Sequence, residues 1–210
     1  MSVVPRWALL SAGSAPLFLV GGWTVAQAAQ PDGFDPVRQT ISALAATSAD
    51  HRWIMTVGLA GLGLCHLVTA LGLVTAAPAG RGLLALGGLA TVVLVVFPQR
   101  PDGSITHVVA AGVAFGALAV WPALAVPWRT ARPGGGDQHH PPDGTAPSGP
   151  ARWPAFAAAA LLLGLLGWFA VEFFTDGAWI GLTERLVAAA QAVVPLAAVL
   201  AALTRRQPLP

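Results

Sequence analysis

Six stretches of this chain, each close to the length that crosses a bilayer, contain almost no charged side chains. A helix needs about 20 apolar residues to span the hydrocarbon core of a membrane. The predicted spans cover residues 7–29, 53–76, 82–97, 107–126, 153–174 and 182–203. Only 10% of the residues are charged, whereas a soluble domain has about 25%. The sequence lacks the alternation of polar and apolar residues that would indicate strands. A helix also satisfies all of its own backbone hydrogen bonds in lipid. The sequence therefore predicts an all-α, polytopic transmembrane bundle that forms one integral membrane domain, residues 1–210.

The distribution of arginine predicts the orientation of this bundle. The 11 basic residues are all arginines. Six spans bring both termini to one end of the bundle, and seven of these arginines lie at that end. The positive-inside rule then predicts a plasma-membrane protein with both termini in the cytoplasm. One alternative stays open, because Ala26, Gln27 and Ala28 resemble a signal-peptide cleavage site. Cleavage there would leave five spans.

Two polar segments interrupt the apolar pattern. Residues 132–149 are rich in proline and glycine and predict a disordered cytoplasmic linker between spans four and five. Residues 31–52 form the first outer loop and gather three of the nine acidic residues of the chain. Asp35 followed by Pro36 is a good helix start, with an N-cap acceptor and then proline at the first helical position. The residues after Pro36 predict a short amphipathic helix that lies either in the outer membrane interface or over the mouth of the bundle.

The sequence also resembles a known family. The segments "QPDGFDPVRQTISALAA", "RWIMTVGLAGLGLCHLVTALGL" and "FPQRPDGSITHVVAAGVAF" occur in this order. Together they resemble an actinobacterial multi-pass membrane family, domain of unknown function 998, over about residues 5–203. The specific parts are the Ile-Ser-Ala-Leu loop, His66 in the second span, and the junction from Phe97 and Pro98 to His107. The resemblance implies a helical bundle and brings no established activity.

Ionisable groups at membrane depth are costly and are therefore functional candidates. Most of those in this chain fall near the predicted outer ends of the spans. The candidates for acid–base chemistry are Glu172, Asp35 and His107. The candidates for ligand binding are Arg38, Ser42, Asp50, Arg52, Arg100, Glu184 and Gln191. His66 is predicted to be a buried polar residue. We expect no metal and no cofactor, because haem would need a second histidine at matching depth and Cys65 is the only cysteine.

Each candidate also has a structural interpretation. Asp50 and Glu184 lie where a helix N-terminus favours an anion. Glu172 at a span end would reach the interface, and Arg38 would dock the loop helix through a pair with Glu172 or Glu184. A neutral His66 would hydrogen-bond a neighbouring helix. The sequence alone leaves both interpretations open.

Three function classes remain open. The first is a membrane protein that binds a lipid, an isoprenoid-like ligand or a membrane partner through an outward-facing polar pocket. The alternative is an integral membrane enzyme that acts on a lipid-like substrate by acid–base chemistry. The second alternative is a small transporter, supported only by a faint echo between "HRWIMTVGLAGLGL" and "ARWPAFAAAALLLGLLG". Expected partners are the lipid bilayer, a lipid or isoprenoid ligand, and other subunits through small-residue helix faces, with no nucleic acid. Gly112 and Gly116 of the fourth span are predicted to permit close approach of a neighbouring helix in the bundle.

Overall fold

The computed structural model describes residues 4–31, 33–126 and 152–204. Within these ranges, six helices are long and apolar enough to cross a membrane, so the predicted helical bundle is confirmed. We number them spans 1 to 6: Arg6–Ala28, Trp53–Gly72, Pro78–Val96, Ile105–Leu124, Trp153–Phe174 and Ile180–Thr204. A short seventh helix, Ile41–Leu44, lies between spans 1 and 2, and the same ranges contain no strand. The predicted linker 132–149 lies outside the described residues.

The boundary between spans 2 and 3 differs from the sequence prediction. Span 3 begins at Pro78. Proline in the first turn of a helix costs no helical hydrogen bond, because an N–H there would have no partner within the helix. Span 2 ends at Gly72. Arg81 of span 3 donates from Nε to the Ala70 carbonyl at 2.8 Å and from Nη2 to the Leu71 carbonyl at 3.1 Å. These bonds satisfy carbonyls in the last turn of span 2. Carbonyls in the last turn of a helix have no partner within the helix itself. Arg81, which the sequence indicated only as a topology signal, therefore also caps the end of span 2.

Span 1 changes its winding in the middle. Pro16 lies inside it, and residues Leu17–Gly21 form a π-helical turn. Proline removes a helical hydrogen bond and commonly accompanies such irregular winding. Leu19 in this turn is buried. A side chain on Gly58 of span 2 would come within 2.9 Å of a backbone oxygen of this turn. Spans 1 and 2 therefore pack closely because span 2 has glycine at the crossing.

Spans 1 to 4 pack in chain order, and span 6 packs against span 1. Span 5 packs on spans 4 and 6, which make few direct contacts with each other. Gly63 and Gly88 bring spans 2 and 3 together, because a Cβ on either would meet the carbonyl oxygen of the other at 2.8 Å. Gly112 and Gly116 have open space around them instead. The close helix approach predicted at these two glycines was therefore wrong among the described residues.

Residues 29–31 and 33–52 cover one end of the bundle, and we refer to them as the roof loop. That end of the bundle is the loop end. Ile41, Leu44 and Ala45 of the roof loop are buried in the apolar core cluster at this end, together with Leu19 and Met55. The roof loop is thus packed into the bundle rather than only resting on its surface.

Candidate functional site: a roofed polar cavity

The roof loop is fixed to the first turn of span 6 through backbone atoms. The amides of Gly181 and Leu182 donate to the Val37 carbonyl at 2.8 and 3.1 Å. These amides belong to the first turn, whose N–H groups have no partner within the helix. A side chain on Gly181 would clash with the carbonyl oxygens of Gln39 and Pro36. Glycine at this position therefore permits the close approach of the roof loop.

The helix in the roof loop begins later than predicted. Asp35 accepts from the Val37 amide at 2.8 Å, which makes a turn and not a helix start. The helix begins at Ile41, and its N-cap is Thr40, whose hydroxyl accepts from the Ala43 amide at 3.1 Å. The carbonyls of the intervening turn are occupied by groups of span 6. A short helix over the bundle mouth is therefore present, but the cap assigned to Asp35 was wrong.

Glu184 of span 6 joins the roof loop to the bundle interior. Glu184 is 4% exposed. It accepts from the Ile41 amide and, at 3.3 Å, from the Ser42 hydroxyl. The interpretation of Glu184 as a cap for its own helix was wrong, because it holds the start of the roof-loop helix instead.

Arg185, the next residue, has the role that the sequence suggested for Arg38. One of its nitrogens, Nη1, donates to the Pro36 and Gln39 carbonyls, both at 2.8 Å, and to the Gly181 carbonyl at 2.9 Å. Arg38 is 70% exposed and lies 3.5 Å from the Asp35 carboxylate. Its predicted pair with Glu172 or Glu184 was therefore wrong. The cation that holds the roof loop comes from the bundle and binds backbone carbonyls.

A cavity of about 40 Å³ lies under the roof loop. A void needs about 10–15 Å³ to accept a water molecule, so this one has room for roughly three. Polar groups are present along its length. Its lining comes from the roof loop and spans 1, 2, 3, 4 and 6: Leu19, Ile41, Ser42, Leu59, Leu62, His66, Thr91, Leu94, Ala114, Phe115, Leu118, Glu184, Ala188 and Gln191.

Gln191 marks the deep part of this cavity. It lies seven residues after Glu184, so the lining extends about 10 Å along span 6. Its side-chain nitrogen donates to the Phe115 carbonyl of span 4 at 2.8 Å. Thr91 lines the wall formed by span 3 and donates to the Gly87 carbonyl at 2.9 Å. The cavity is therefore polar at its roof and again near the middle of the bundle.

His66 lines the same cavity and differs from the other polar groups there. It is 1% exposed. Neither ring nitrogen has a hydrogen-bond partner among the residues that the structure describes. The prediction that His66 is buried is confirmed, but the expected bond to a neighbouring helix is absent from this part of the chain. Because a buried polar group without a partner costs free energy, the packing of the bundle does not explain His66.

The other candidate residues lie away from the cavity. The Glu172 carboxylate accepts from the Trp179 amide at 2.9 Å, so it caps the turn between spans 5 and 6. His107 is buried, and its Nδ1 lies 3.0 Å from the Phe97 carbonyl, which it joins across the turn between spans 3 and 4. Asp50 and Arg100 are exposed, and Arg52 is the residue before span 2 with no side-chain capping bond. None of them lines the cavity.

Four of the predicted residues therefore come together: Ser42, His66, Glu184 and Gln191. Thr91 was missed, because a threonine in an apolar helix usually bonds only to its own backbone. The apolar lining was also missed, since it depends on how each helix is rotated. No sequence signal fixed that rotation.

The fold and this site define a class of protein: a multi-pass helical membrane protein with a small cavity between its spans, mostly apolar with a few polar side chains, under a loop. Comparison with protein families identifies the family within this class. The family model described as "Protein of unknown function (DUF998)" matches residues 12–201, and the chain belongs to this family. Searches of curated proteins and of solved structures gave no match.

Proposed function

We propose that this protein binds the polar head of a lipid-like amphiphile in the cavity under the roof loop. One observation carries the proposal: Glu184, Gln191 and His66 line one small cavity between the spans, and the ring nitrogens of His66 have no partner among the described residues. Polar side chains are rare within membrane spans and usually serve a substrate or an ion. A ligand that hydrogen-bonds His66 would offset the cost of its burial.

The size and charge of the cavity define the head group. A volume of about 40 Å³ accepts a hydroxyl or an amine but no chain. No arginine is among the lining residues. The carboxyl group of Glu184 would accept a hydrogen bond from a hydroxyl or an amine and would oppose an anionic head. We therefore favour a long-chain or isoprenoid alcohol or amine.

The loop end would face the outside of the cell, since the termini lie at the arginine-rich end. Cysteines introduced one at a time into residues 31–52 and 132–149 test this orientation, in a Cys65→Ser background. An impermeant maleimide added to intact cells should label the first segment and not the second. The reverse pattern would contradict the orientation but not the presence of the cavity.

Three probes that share one hydrocarbon chain and differ in the head group test the ligand class. Protein in phosphatidylcholine nanodiscs is incubated with oleyl alcohol, oleylamine or oleic acid, and the amphiphile retained after washing is measured by mass spectrometry. We expect the alcohol or the amine to be retained about tenfold more than the acid, which corresponds to about 1.4 kcal/mol. Equal retention of all three would contradict recognition by the polar lining.

A cavity-filling substitution provides the matched control. Ala114 is buried and lines the cavity, whereas Ala111 on the same span is half-buried and does not. Ala114→Leu should abolish retention of the favoured probe, because the added atoms occupy the space of the head group. Ala111→Leu should leave retention unchanged. If neither substitution affects retention, the probe binds elsewhere.

A second function has one observation in its favour. Two titratable side chains, Glu184 and His66, line the same cavity, as acid–base catalysis on a bound head group requires. The same mass spectra test this, because an enzyme would return some of the amphiphile with an altered mass. Recovery of unaltered probe after long incubation would favour binding alone.

A further inference from the structure

The chain of a bound amphiphile needs a way out of the cavity, and this inference therefore rests on the proposed function. A head group in the cavity leaves no space there for its chain. Exit through the roof loop would place methylenes in water, at about 0.8 kcal/mol for each CH₂. Exit sideways would place them in lipid at no such cost. The physical argument favours a lateral opening between two spans.

The packing of the bundle identifies the two spans. Neighbouring spans from 1 to 4 pack closely, and span 6 packs against span 1. Spans 4 and 6 both line the cavity but make few direct contacts. One cross-link between them is the bond from Gln191 to the Phe115 carbonyl. Outside this seam lies span 5, which contributes no residue to the cavity lining.

Span 5 covers this seam along its length. Its two buried residues, Ala159 and Leu162, lie in the half far from the loop end. In the half near the loop end, Phe169 packs on Phe115, with ring centroids 5.3 Å apart. Phe115 lines the cavity, so this aromatic pair lies beside the cavity on the side of span 5.

Two glycines lie near the middle of span 5. Gly164 and Gly167 have nothing within 4 Å of the position of an added Cβ. Glycine lowers the cost of bending a helix, and at these positions neighbouring spans offer no obstacle. A bend of span 5 at these glycines would move its loop-end half while Ala159 and Leu162 stay packed.

We propose that a single-chain amphiphile enters the cavity head first from the bilayer, between spans 4 and 6. The loop-end half of span 5 moves outward, the rings of Phe115 and Phe169 separate, and the chain stays in the opened seam. The geometry selects a ligand with one flexible chain, because a two-chain lipid would need a much wider opening. The roof loop stays closed during this step.

The rate of ligand exchange tests the lateral route. Protein loaded with tritiated oleyl alcohol in nanodiscs is mixed with excess phosphatidylcholine vesicles, and loss of label is followed over time. An aromatic pair contributes about 0.5–1.5 kcal/mol, so Phe169→Ala should accelerate release about two- to tenfold. Phe174→Ala is the matched control, because its ring contacts Phe173 on the exposed side of the same span. Release from this control should match the unmodified protein.

A reversible cross-link tests the same step in one molecule. Phe115→Cys and Phe169→Cys are combined in a Cys65→Ser background, because Cys65 is a free thiol. Oxidation should stop release of label, and reduction should restore it. Release that continues after complete oxidation would overturn the lateral route.

A roof-loop variant separates the two routes. Thr40→Ala removes the N-cap bond of the roof-loop helix at a residue that does not line the cavity, and it should leave the release rate unchanged. If Thr40→Ala accelerates release and Phe169→Ala does not, the ligand passes through the roof loop; the lateral route is then wrong and the proposed function stands. If the unmodified protein retains none of the three oleyl probes, the proposed function fails, and the lateral route with it.

Discussion

Replacing His66 by leucine is expected to make this protein more stable. Both ring nitrogens of His66 are buried without partners among the described residues. Leaving a buried polar group unsatisfied costs about 1–3 kcal/mol. Leucine has a similar volume and no polar atom, so the substitution removes that cost. Repacking around the new side chain should offset part of this gain. We expect the free energy of unfolding to rise by about 1 kcal/mol.

Gln191→Leu is the matched comparison, because it places the same new side chain in the same cavity. Gln191 donates to the Phe115 carbonyl at 2.8 Å. Hydrogen bonds between spans contribute about 0.6 kcal/mol on average, with a maximum near 1.7. The Gln191 variant should therefore lose stability while the His66 variant gains it. Opposite signs at two neighbouring polar positions are difficult to attribute to a general effect of leucine.

Unfolding by a denaturing detergent, followed by the loss of helical circular dichroism, measures both variants. Retention of oleyl alcohol is measured on the same preparations, and His66→Leu should lose it despite its greater stability. A decrease of 1 kcal/mol or more in the His66 variant would refute the reasoning, because it would mean that His66 has a stabilising partner. Greater stability with full retention would show instead that the ligand does not use His66.

The remaining predictions concern packing and the roof loop. Glu184→Leu should expose the Ile41 amide to fast hydrogen exchange, whereas Glu184→Gln should keep it protected, because glutamine keeps an acceptor oxygen. Gly181→Ala should raise protease cleavage within the roof loop, since the new Cβ would push two of its carbonyls away. Gly88→Ala should cost about 1–3 kcal/mol of stability in the same detergent unfolding assay, because its Cβ would lie 2.8 Å from a backbone oxygen of span 2. Gly112→Ala has no such contact and should be neutral or stabilising by up to about 1 kcal/mol.

The spans were predictable because hydropathy alone determines them. Each span must exclude charge over about 20 residues, and this requirement does not depend on its neighbours. The ends of the spans were less certain. Arg81 illustrates this, because its bonds to the carbonyls of span 2 are tertiary contacts. The start of span 3 at Pro78 was missed for a local reason, since proline in the first turn is compatible with a helix.

The roof loop shows why a strong local signal can fail. Asp35 and Pro36 make a convincing helix start in sequence, but an aspartate bonded two residues ahead forms a turn equally well. The choice was decided by span 6. Its first amides and Arg185 need acceptors, and the carbonyls of Pro36, Val37 and Gln39 provide them. A helix that began at Pro36 would have committed some of these carbonyls to its own hydrogen bonds.

The polar cavity was only partly predictable for a related reason. Sequence indicates how deep a side chain lies along a span, and on this basis His66 and Gln191 were correctly singled out as polar groups below the surface. Sequence does not indicate which way the helix is turned about its axis. Glu184 and Glu172 both lie near span ends, yet one lines the cavity and the other caps a surface turn. The difference lies in the packing of spans 4, 5 and 6, which hydropathy does not encode.

The charges of the roof loop and the contacts that hold it belong to different atoms. Its exposed side chains, such as Arg38 and Asp50, lie on the surface, whereas much of its attachment to span 6 uses backbone carbonyls and amides. Backbone atoms are the same for every residue type, so most of the chemical specificity of the attachment resides in span 6, in Gly181, Glu184 and Arg185. Glu184 serves both the roof loop and the cavity, because its two carboxyl oxygens hold the loop while its side chain lines the space below. Each carboxyl oxygen accepts one bond from the roof loop and can accept a second, so a head group can bond to Glu184 while the roof loop stays attached.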